Sequence, residues 1–148
     1  MRSPVVIVER VLPAPCDVVY EQWLSPESLA DWMCPRPARL ARVVLDPVVG
    51  GRYRFDIVEN GEEMVVEGRF LRLERPHMIR FTWNCSTWPP SYGDSIVTVE
   101  LQSDGASGAH MTIRHELVPP HTVTTHTAGW DLVAAQLAGR LACRLPAS

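Results

Sequence analysis

Residues 46–55, DPVVGGRYRF, combine a glycine pair with a run that alternates arginine and aromatic side chains. Glycine adopts positive φ without steric cost, so Gly50-Gly51 predicts a tight turn into a strand. Successive side chains of a strand point to opposite faces of its sheet. Tyr53 and Phe55 therefore share one face, and the two arginines share the other. The stretch predicts a half-buried strand whose aromatic side faces the core.

The same two-residue alternation continues from residue 38 to about residue 118 and predicts six strands. Asn60-Gly61 and the segment 104–108 carry the turn residues that join antiparallel neighbours. The first segment of the chain is also predicted to be a strand, because its residues are mostly β-branched and it ends before Pro13. The seven predicted strands are residues 5–12, 39–45, 52–58, 63–73, 77–85, 95–102 and 109–118.

Alternation also assigns an inner, apolar face to these strands. Residues 39–45 show no clean alternation, and residues 63–73 favour Met64, Val66, Gly68 and Phe70 by a small margin. The outer positions, among them Arg80, Thr98, Glu100, Arg114 and Glu116, are mostly charged. The clearer inner sets are Tyr53, Phe55 and Ile57; Ile79, Phe81 and Trp83; Val97, Val99 and Leu101; and Met111, Ile113, His115 and Leu117.

Two short helices are predicted between the first two strands. Apolar residues recur every three or four positions in residues 19–24, as on one side of a helix. Ser25 then suits an N-cap and Pro26 the first helical position, which starts a second helix. Its apolar side includes Trp32, and Pro35 ends it.

A long C-terminal helix follows Pro119-Pro120. It lasts to about residue 144, and its start is left open because residues 122–125 are poor helix formers. We expect Gly129 to let this helix approach the sheet closely. The predicted fold is therefore α+β, a curved antiparallel sheet of about seven strands around this helix, with a space between them. One apolar stripe steps through His126, Trp130, Val133, Leu137 and Leu141.

Length and composition limit the function classes. A chain of 148 residues predicts one domain spanning residues 1–148. The net charge of −3 argues against a nucleic-acid partner, which usually needs a basic surface. The glycine pair lacks the motifs and the following helix of a phosphate-binding loop. Neither a leader pattern nor an apolar run of about 20 residues is visible, so we expect a cytoplasmic protein without a membrane span.

The four cysteines are widely scattered and form no C-x-x-C pair, which argues against a zinc or redox site. Inward carboxylates are also scarce, so we expect no metal and no other cofactor. Ser-His-Asp and Cys-His nucleophile contexts are missing too, and no catalytic residue is assigned.

Eight residues are candidates for a ligand-binding cavity. The inward histidines either orient a polar ligand group or act as general bases, or else each only satisfies a backbone group in the core. The tryptophans either converge on one cavity wall or simply pack the core. Trp88 is either a lid or an exposed loop residue. The candidates are Trp32, Tyr53, Phe55, Phe81, Trp83 and Trp130 as apolar wall, with His115 and His126 as polar anchors.

Several short motifs occur in a characteristic order and spacing along nearly the whole chain. They are Ala14-Pro15, Trp32, Asp46 with Gly50-Gly51-Arg52-Tyr53, Gly68, Phe81-Thr82-Trp83, Thr112-Ile113-Arg114-His115 and His126-x-x-Gly129-Trp130. In this register the chain resembles the bacterial proteins similar to the C-terminal domain of the activator of 90-kDa heat shock protein ATPase. Those proteins belong to the START-like, or SRPBCC, superfamily, which has the helix-grip fold.

The resemblance implies a deep hydrophobic cavity between the long helix and the curved sheet. Relatives elsewhere in the superfamily bind lipids, sterols or polyketides, and some are aromatase/cyclases, whereas the bacterial branch mostly has no assigned activity. The chain shows no counterpart of the separate N-terminal domain that the co-chaperones carry, so a chaperone partner is not expected.

Three hypotheses follow. The leading one is a non-catalytic protein that binds a small hydrophobic or aromatic molecule. The second is a cyclase or hydrolase that uses a cavity histidine as general base, and it requires a histidine reachable from solvent. The third is a protein-interaction module with an exposed apolar patch. A homodimer remains possible under each of them.

Overall fold

A computed structural model of the protein describes residues 5–144. Two single 3₁₀ turns, Pro90–Tyr92 and Pro120–Thr122, lie between its main elements. The strands and helices are β1 (Val5–Leu12), α1 (Cys16–Leu24), α2 (Pro26–Trp32), β2 (Arg39–Leu45), β3 (Arg52–Glu59), β4 (Glu62–Glu74), β5 (Met78–Cys85), β6 (Ser95–Asp104), β7 (Gly108–Glu116) and α3 (Val123–Arg144).

Within these residues, seven strands form one antiparallel sheet in the order β1-β7-β6-β5-β4-β3-β2. The curved sheet wraps around the long C-terminal helix, with the two short helices after β1, so the predicted α+β helix-grip architecture is confirmed. The Asn60-Gly61 hairpin is confirmed as well, because both residues have positive φ between β3 and β4. The first strand pairs with the last, which leaves β1 and β2 as the two edges.

A bulge explains why the sequence of β2 shows no clean alternation. The pairing of β2 with β3 shifts register between Leu40 and Arg42. A bulge of this kind inserts one extra residue into the strand, so the side chains that follow it point to the opposite faces from those that the alternation before it predicts. Leu40 is buried before the shift, and Val43 and Leu45 are half-buried after it.

The glycine pair has two different roles. Gly50 has a φ of +84°, as the sequence predicts. Gly51 lies outside the positive-φ region, and a Cβ there would overlap the Asp46 carbonyl oxygen and stand 2.9 Å from that of Val48. Gly51 is therefore required for close backbone approach within the turn.

The inner faces are confirmed for most strands, with two corrections. The predicted inner residue Leu117 is 47% exposed, because β7 ends at Glu116 and the backbone turns at Leu117 with a φ of +61°. The predicted outer residue Thr98 is only 5% exposed. It pairs with Arg80 on one side and Arg114 on the other, and we infer that their long stems cover it.

The helices begin where capping chemistry permits. Ser25 Oγ accepts a hydrogen bond from Ser28 N at 3.3 Å, and Pro26 occupies the first turn of α2. The helix α3 begins at Val123, directly after the 3₁₀ turn, so it includes the three poor helix formers that follow. Its stripe of Trp130, Val133 and Leu137 is buried.

Gly68 lies on β4 where that strand meets β5, and we expect Gly68→Ala to lower the free energy of unfolding by about 2 kcal/mol. A Cβ at this position would overlap the Thr82 carbonyl oxygen and stand 2.6 Å from Thr82 Oγ1. The same carbonyl accepts the Tyr53 hydroxyl, so backbone movement there would disturb a second bond. Urea unfolding measures the change.

The matched control is Gly139→Ala on an exposed turn of α3, where nothing lies within 4 Å of the added carbon. That variant is expected to gain up to about 1 kcal/mol from helix propensity. Equal stability of Gly68→Ala and the unsubstituted protein would contradict the steric argument.

Candidate functional site

An open cleft of about 590 Å³ lies between α3 and the inner face of the sheet. One wall comes from β3, β4 and β5, the opposite wall from α3, and the rim from residues 33–38 and 87–89. Its volume is typical of sites that bind small molecules. Phe55, Ile57, Trp83, Trp130 and Val133 give it a mainly apolar lining.

Four of the eight candidate residues line this cleft: Phe55, Trp83, His126 and Trp130. The structure brings them together from β3, β5 and α3. Trp83 and Trp130 lie with ring centroids 5.2 Å apart, and Phe55 stands edge-on to Trp83 at 6.3 Å. Trp83 is half-buried, although Phe81 and Cys85 on the same face of β5 are buried. An aromatic surface is therefore left open between the helix and the sheet.

The other four candidates are not among the residues that line this cleft. Trp32 is fully buried, donates from Nε1 to Ser28 Oγ at 2.8 Å, and stands edge-on against Trp23. Tyr53 and Phe81 pack against each other with ring centroids 5.4 Å apart. The void beside these two rings is about 10 Å³, roughly the space of one water molecule. Side chains fill the inner half of the predicted cavity.

His115, the fourth, is the centre of a buried chain of hydrogen bonds. The Trp130 indole donates from Nε1 to His115 Nδ1 at 3.0 Å, and His115 Nε2 lies 2.7 Å from Ser95 Oγ. The Ser95 hydroxyl itself donates to the Trp83 carbonyl at 2.7 Å. Because an indole only donates, Nδ1 must accept, and His115 Nε2 must donate to Ser95. Only neutral His115 satisfies all three bonds.

Burial explains why this histidine stays neutral. His115 has no exposed surface, and this burial, with a smaller effect of nearby His126, lowers its pKa to about 3. Both ring nitrogens are occupied. His115 is therefore not reachable as a general base, and it links α3 to β6 and β7.

His126 has a different environment, although the sequence placed both histidines on the inner surface. Their rings meet edge-on with centroids 4.9 Å apart. His126 is only half-buried and lines the cleft. Its Nδ1 lies 3.1 Å from the Thr122 carbonyl oxygen. Burial lowers the pKa of His126, and the bond to Thr122 opposes that effect.

Trp88 lies at the rim of the cleft rather than freely in solvent. Its ring stands edge-on to His126 at 5.7 Å, and the side chain is half-buried. The position is compatible with a partial cover over one end of the cleft.

Sulfur-bearing residues that were not among the eight candidates also line the cleft: Met33, Cys34, Met64 and Cys85. Cys85 Sγ lies 3.5 Å from Met64 Sδ and 3.2 Å from Thr87 Oγ1. Burial, with a smaller effect of Glu59, raises the pKa of Cys34 to about 11, which keeps this thiol protonated. The inward position of Cys85 was predictable from alternation, because it lies on the same strand face as Phe81 and Trp83.

A second hollow, of about 410 Å³, lies on the outer face of the sheet. Arg52, Arg54 and Arg69 line it together with Glu67 and Asp94. A lining with charges of both signs is unsuited to an apolar ligand, so we do not assign such a ligand to this hollow. Across residues 5–144, the helices include none that is long and apolar enough to span a membrane.

The family model described as "Activator of Hsp90 ATPase homolog 1-like protein" matches residues 13–142. Among solved structures, a protein from Chromobacterium violaceum is similar with a TM-score of 0.83 at 29% identity, covering 93% of this chain and 97% of that one. The AHSA1 protein from Silicibacter pomeroyi has a TM-score of 0.81 at 21% identity, with 96% and 100% covered. An AHSA1-like protein from Aeromonas hydrophila has a TM-score of 0.80 at 19% identity, with 95% and 93% covered. No curated protein matches the chain.

Proposed function

Because the chain belongs to the family of Activator of Hsp90 ATPase homolog 1-like proteins, we propose that it binds a small hydrophobic or aromatic molecule in the cleft between its sheet and α3. The observation that carries this proposal is the contrast between the two halves of the space under the helix. The inner half is closed by packed rings, whereas the outer half remains open over about 590 Å³ with exposed indole surface.

Open indole surface is costly to leave in water, because apolar area gains roughly 25 cal/mol per Å² on burial. Trp83 and Trp130 are fixed by packing and by the bond to His115, so they form a rigid wall. A flat aromatic or alicyclic molecule could cover this wall without rearranging the core. Preformed walls reduce the entropy lost on binding.

The enzyme hypothesis gains no support from the geometry. His115 has both ring nitrogens occupied, and His126 packs edge-on against this neutral ring. The interaction hypothesis gains one observation, because Val5, Ile7 and Val11 are exposed on one face of β1, with Glu9 between the last two. These apolar positions add to an outer face that is otherwise mostly charged, and they are confined to one edge strand.

We expect Gly129→Phe to abolish ligand binding without unfolding the protein. Gly129 lines the cleft, and an added Cβ would meet only the Pro35 ring, at an ordinary contact distance of 3.7 Å. A phenyl group there would extend into the opening. The measurement is thermal shift with a library of neutral aromatic and alicyclic compounds, where a ligand at 100 times its Kd adds about 2.7 kcal/mol of stability.

Gly139→Phe on the exposed side of the same helix is the matched control, and it should keep the ligand-induced shift. A ligand that stabilises both variants equally binds outside the cleft. The proposal fails in that case, and it also fails if no compound shifts the unsubstituted protein.

A further inference from the structure

The bond from His126 to the backbone determines which of its nitrogens carries the proton. Nδ1 lies 3.1 Å from the Thr122 carbonyl oxygen, which can only accept, so Nδ1 must donate. The ring is held by edge-on contacts with Trp88 at 5.7 Å and with His115 at 4.9 Å. Burial lowers the pKa of His126, which favours the neutral ring. A neutral imidazole protonated at Nδ1 has a hydrogen-bond acceptor at Nε2.

This Nε2 atom has no hydrogen-bond partner among the described residues. In the same part of the chain, the fully enclosed side-chain polar atoms without a partner are Trp23 Nε1 and Thr98 Oγ1. His126 Nε2 is therefore reachable by solvent, and the side chain lines the cleft. The side chain that carries this acceptor therefore lines the same space as the partly exposed indole of Trp83.

The charged and polar groups around the cleft disfavour an anionic ligand. Arg36 at the rim is directed to Asp31, with Nη2 3.1 Å from the backbone oxygen and 3.4 Å from Oδ1. Glu59 adds a carboxylate to the lining. The Thr122 hydroxyl already donates to the Pro119 carbonyl at 2.7 Å. A ligand carboxylate would meet an acceptor and a negative charge, with no cation directed at it from the described residues.

We propose that the cleft selects neutral apolar or aromatic ligands that carry a hydroxyl group, whose hydrogen is accepted by His126 Nε2. This inference rests on the proposed function and adds the chemical class of the ligand. The hydroxyl places one end of the molecule beside Trp88, and its apolar body covers Trp83 and Trp130. An ether or a carboxylate on the same scaffold lacks the hydrogen that Nε2 requires.

The test compares probes that differ only in their polar group: 4-phenylphenol, 4-methoxybiphenyl, biphenyl-4-carboxylate and biphenyl-4-ylmethylamine. Titration at pH 7.5, followed by calorimetry and tryptophan fluorescence, gives the Kd of each. One hydrogen bond contributes about 1 kcal/mol net, so the phenol is expected to bind about fivefold more tightly than the ether. The carboxylate is expected to bind more weakly than the phenol because Glu59 opposes its charge. The ammonium probe is also expected to bind more weakly, because burying its charge against the apolar wall costs more than one hydrogen bond contributes.

His126→Phe keeps the ring and its edge-on contacts but removes the acceptor. It should reduce phenol affinity about fivefold and leave ether affinity unchanged. His126→Gln restores an acceptor and should recover part of the preference. The matched control is His110→Phe, which replaces a half-exposed histidine of β7 outside the cleft lining and should retain the full preference.

The outcomes separate the two proposals. If the ether binds in a Gly129-dependent way but the phenol has no advantage, the inference is overturned and the proposed function stands. A phenol preference that survives in His126→Phe, or tighter binding of a charged probe, also overturns the inference. If no probe binds, both proposals fail.

Discussion

Trp130→Ala is expected to lower the free energy of unfolding by about 4 kcal/mol, a large share of the 5–15 kcal/mol that stabilises a typical domain. Trp130 is 4% exposed and packs against Trp83, Trp23 and His115. Its removal leaves a cavity where α3 meets the sheet. It also leaves His115 Nδ1 buried without the indole hydrogen that it accepts at 3.0 Å.

Two controls divide this loss into packing and hydrogen bonding. Trp130→Phe keeps most of the apolar volume and removes the donor, so it should cost about 2 kcal/mol. Leu132→Ala, two residues along the same helix, changes an exposed side chain and should stay within about 0.5 kcal/mol of the unsubstituted protein. Urea unfolding at pH 7.5 measures all three. A loss below about 1 kcal/mol for Trp130→Ala would show that the helix is anchored elsewhere.

The strand pattern was predictable because one face of the sheet is buried and the other is solvated. In β3 and β7 every second side chain enters the core, so alternation identified Tyr53, Phe55, Met111 and Ile113 correctly. It was misleading where local geometry breaks the period. The bulge in β2 and the turn at Leu117 are backbone events that side-chain polarity does not encode.

The extent of the cleft was less predictable than the fold. Trp32, Tyr53 and Trp130 each lie on the apolar side of a predicted helix or strand. Only tertiary packing decides which of these rings fill the space under α3 and which line the cleft. The closing of the inner half depends on α1 and α2, which bring Trp23 against Trp32 and Trp130. The sequence also did not reveal that His115 is buried and fully hydrogen-bonded whereas His126 is not. This difference depends on Ser95 and Trp130 reaching the two ring nitrogens of His115. The sequence did offer one indication, because Ser95 lies two residues before Val97 and therefore on the same inner face of the strand.

The pH dependence of stability should report the neutral state of His115. Its pKa is about 3 in the folded protein against an ordinary 6.5, with burial as the main cause. Between those two values the unfolded chain binds a proton that the folded protein does not. The free energy of unfolding therefore falls as the pH falls from 6.5 toward 3, and this contribution is fully present above pH 6.5.

We expect a loss of about 1.6 kcal/mol between pH 6.5 and pH 5, before most carboxylates begin to bind protons. His126 contributes in the same direction, because burial lowers its pKa too. Urea unfolding at half-unit pH steps gives the slope, and His126→Gln shows how much of it remains when that side chain no longer titrates. NMR of the His115 ring provides the direct control, since its resonances should not shift between pH 7 and pH 4.5. A His115 titration near pH 6.5 would contradict the three-bond chain, because protonated Nδ1 cannot accept from Trp130.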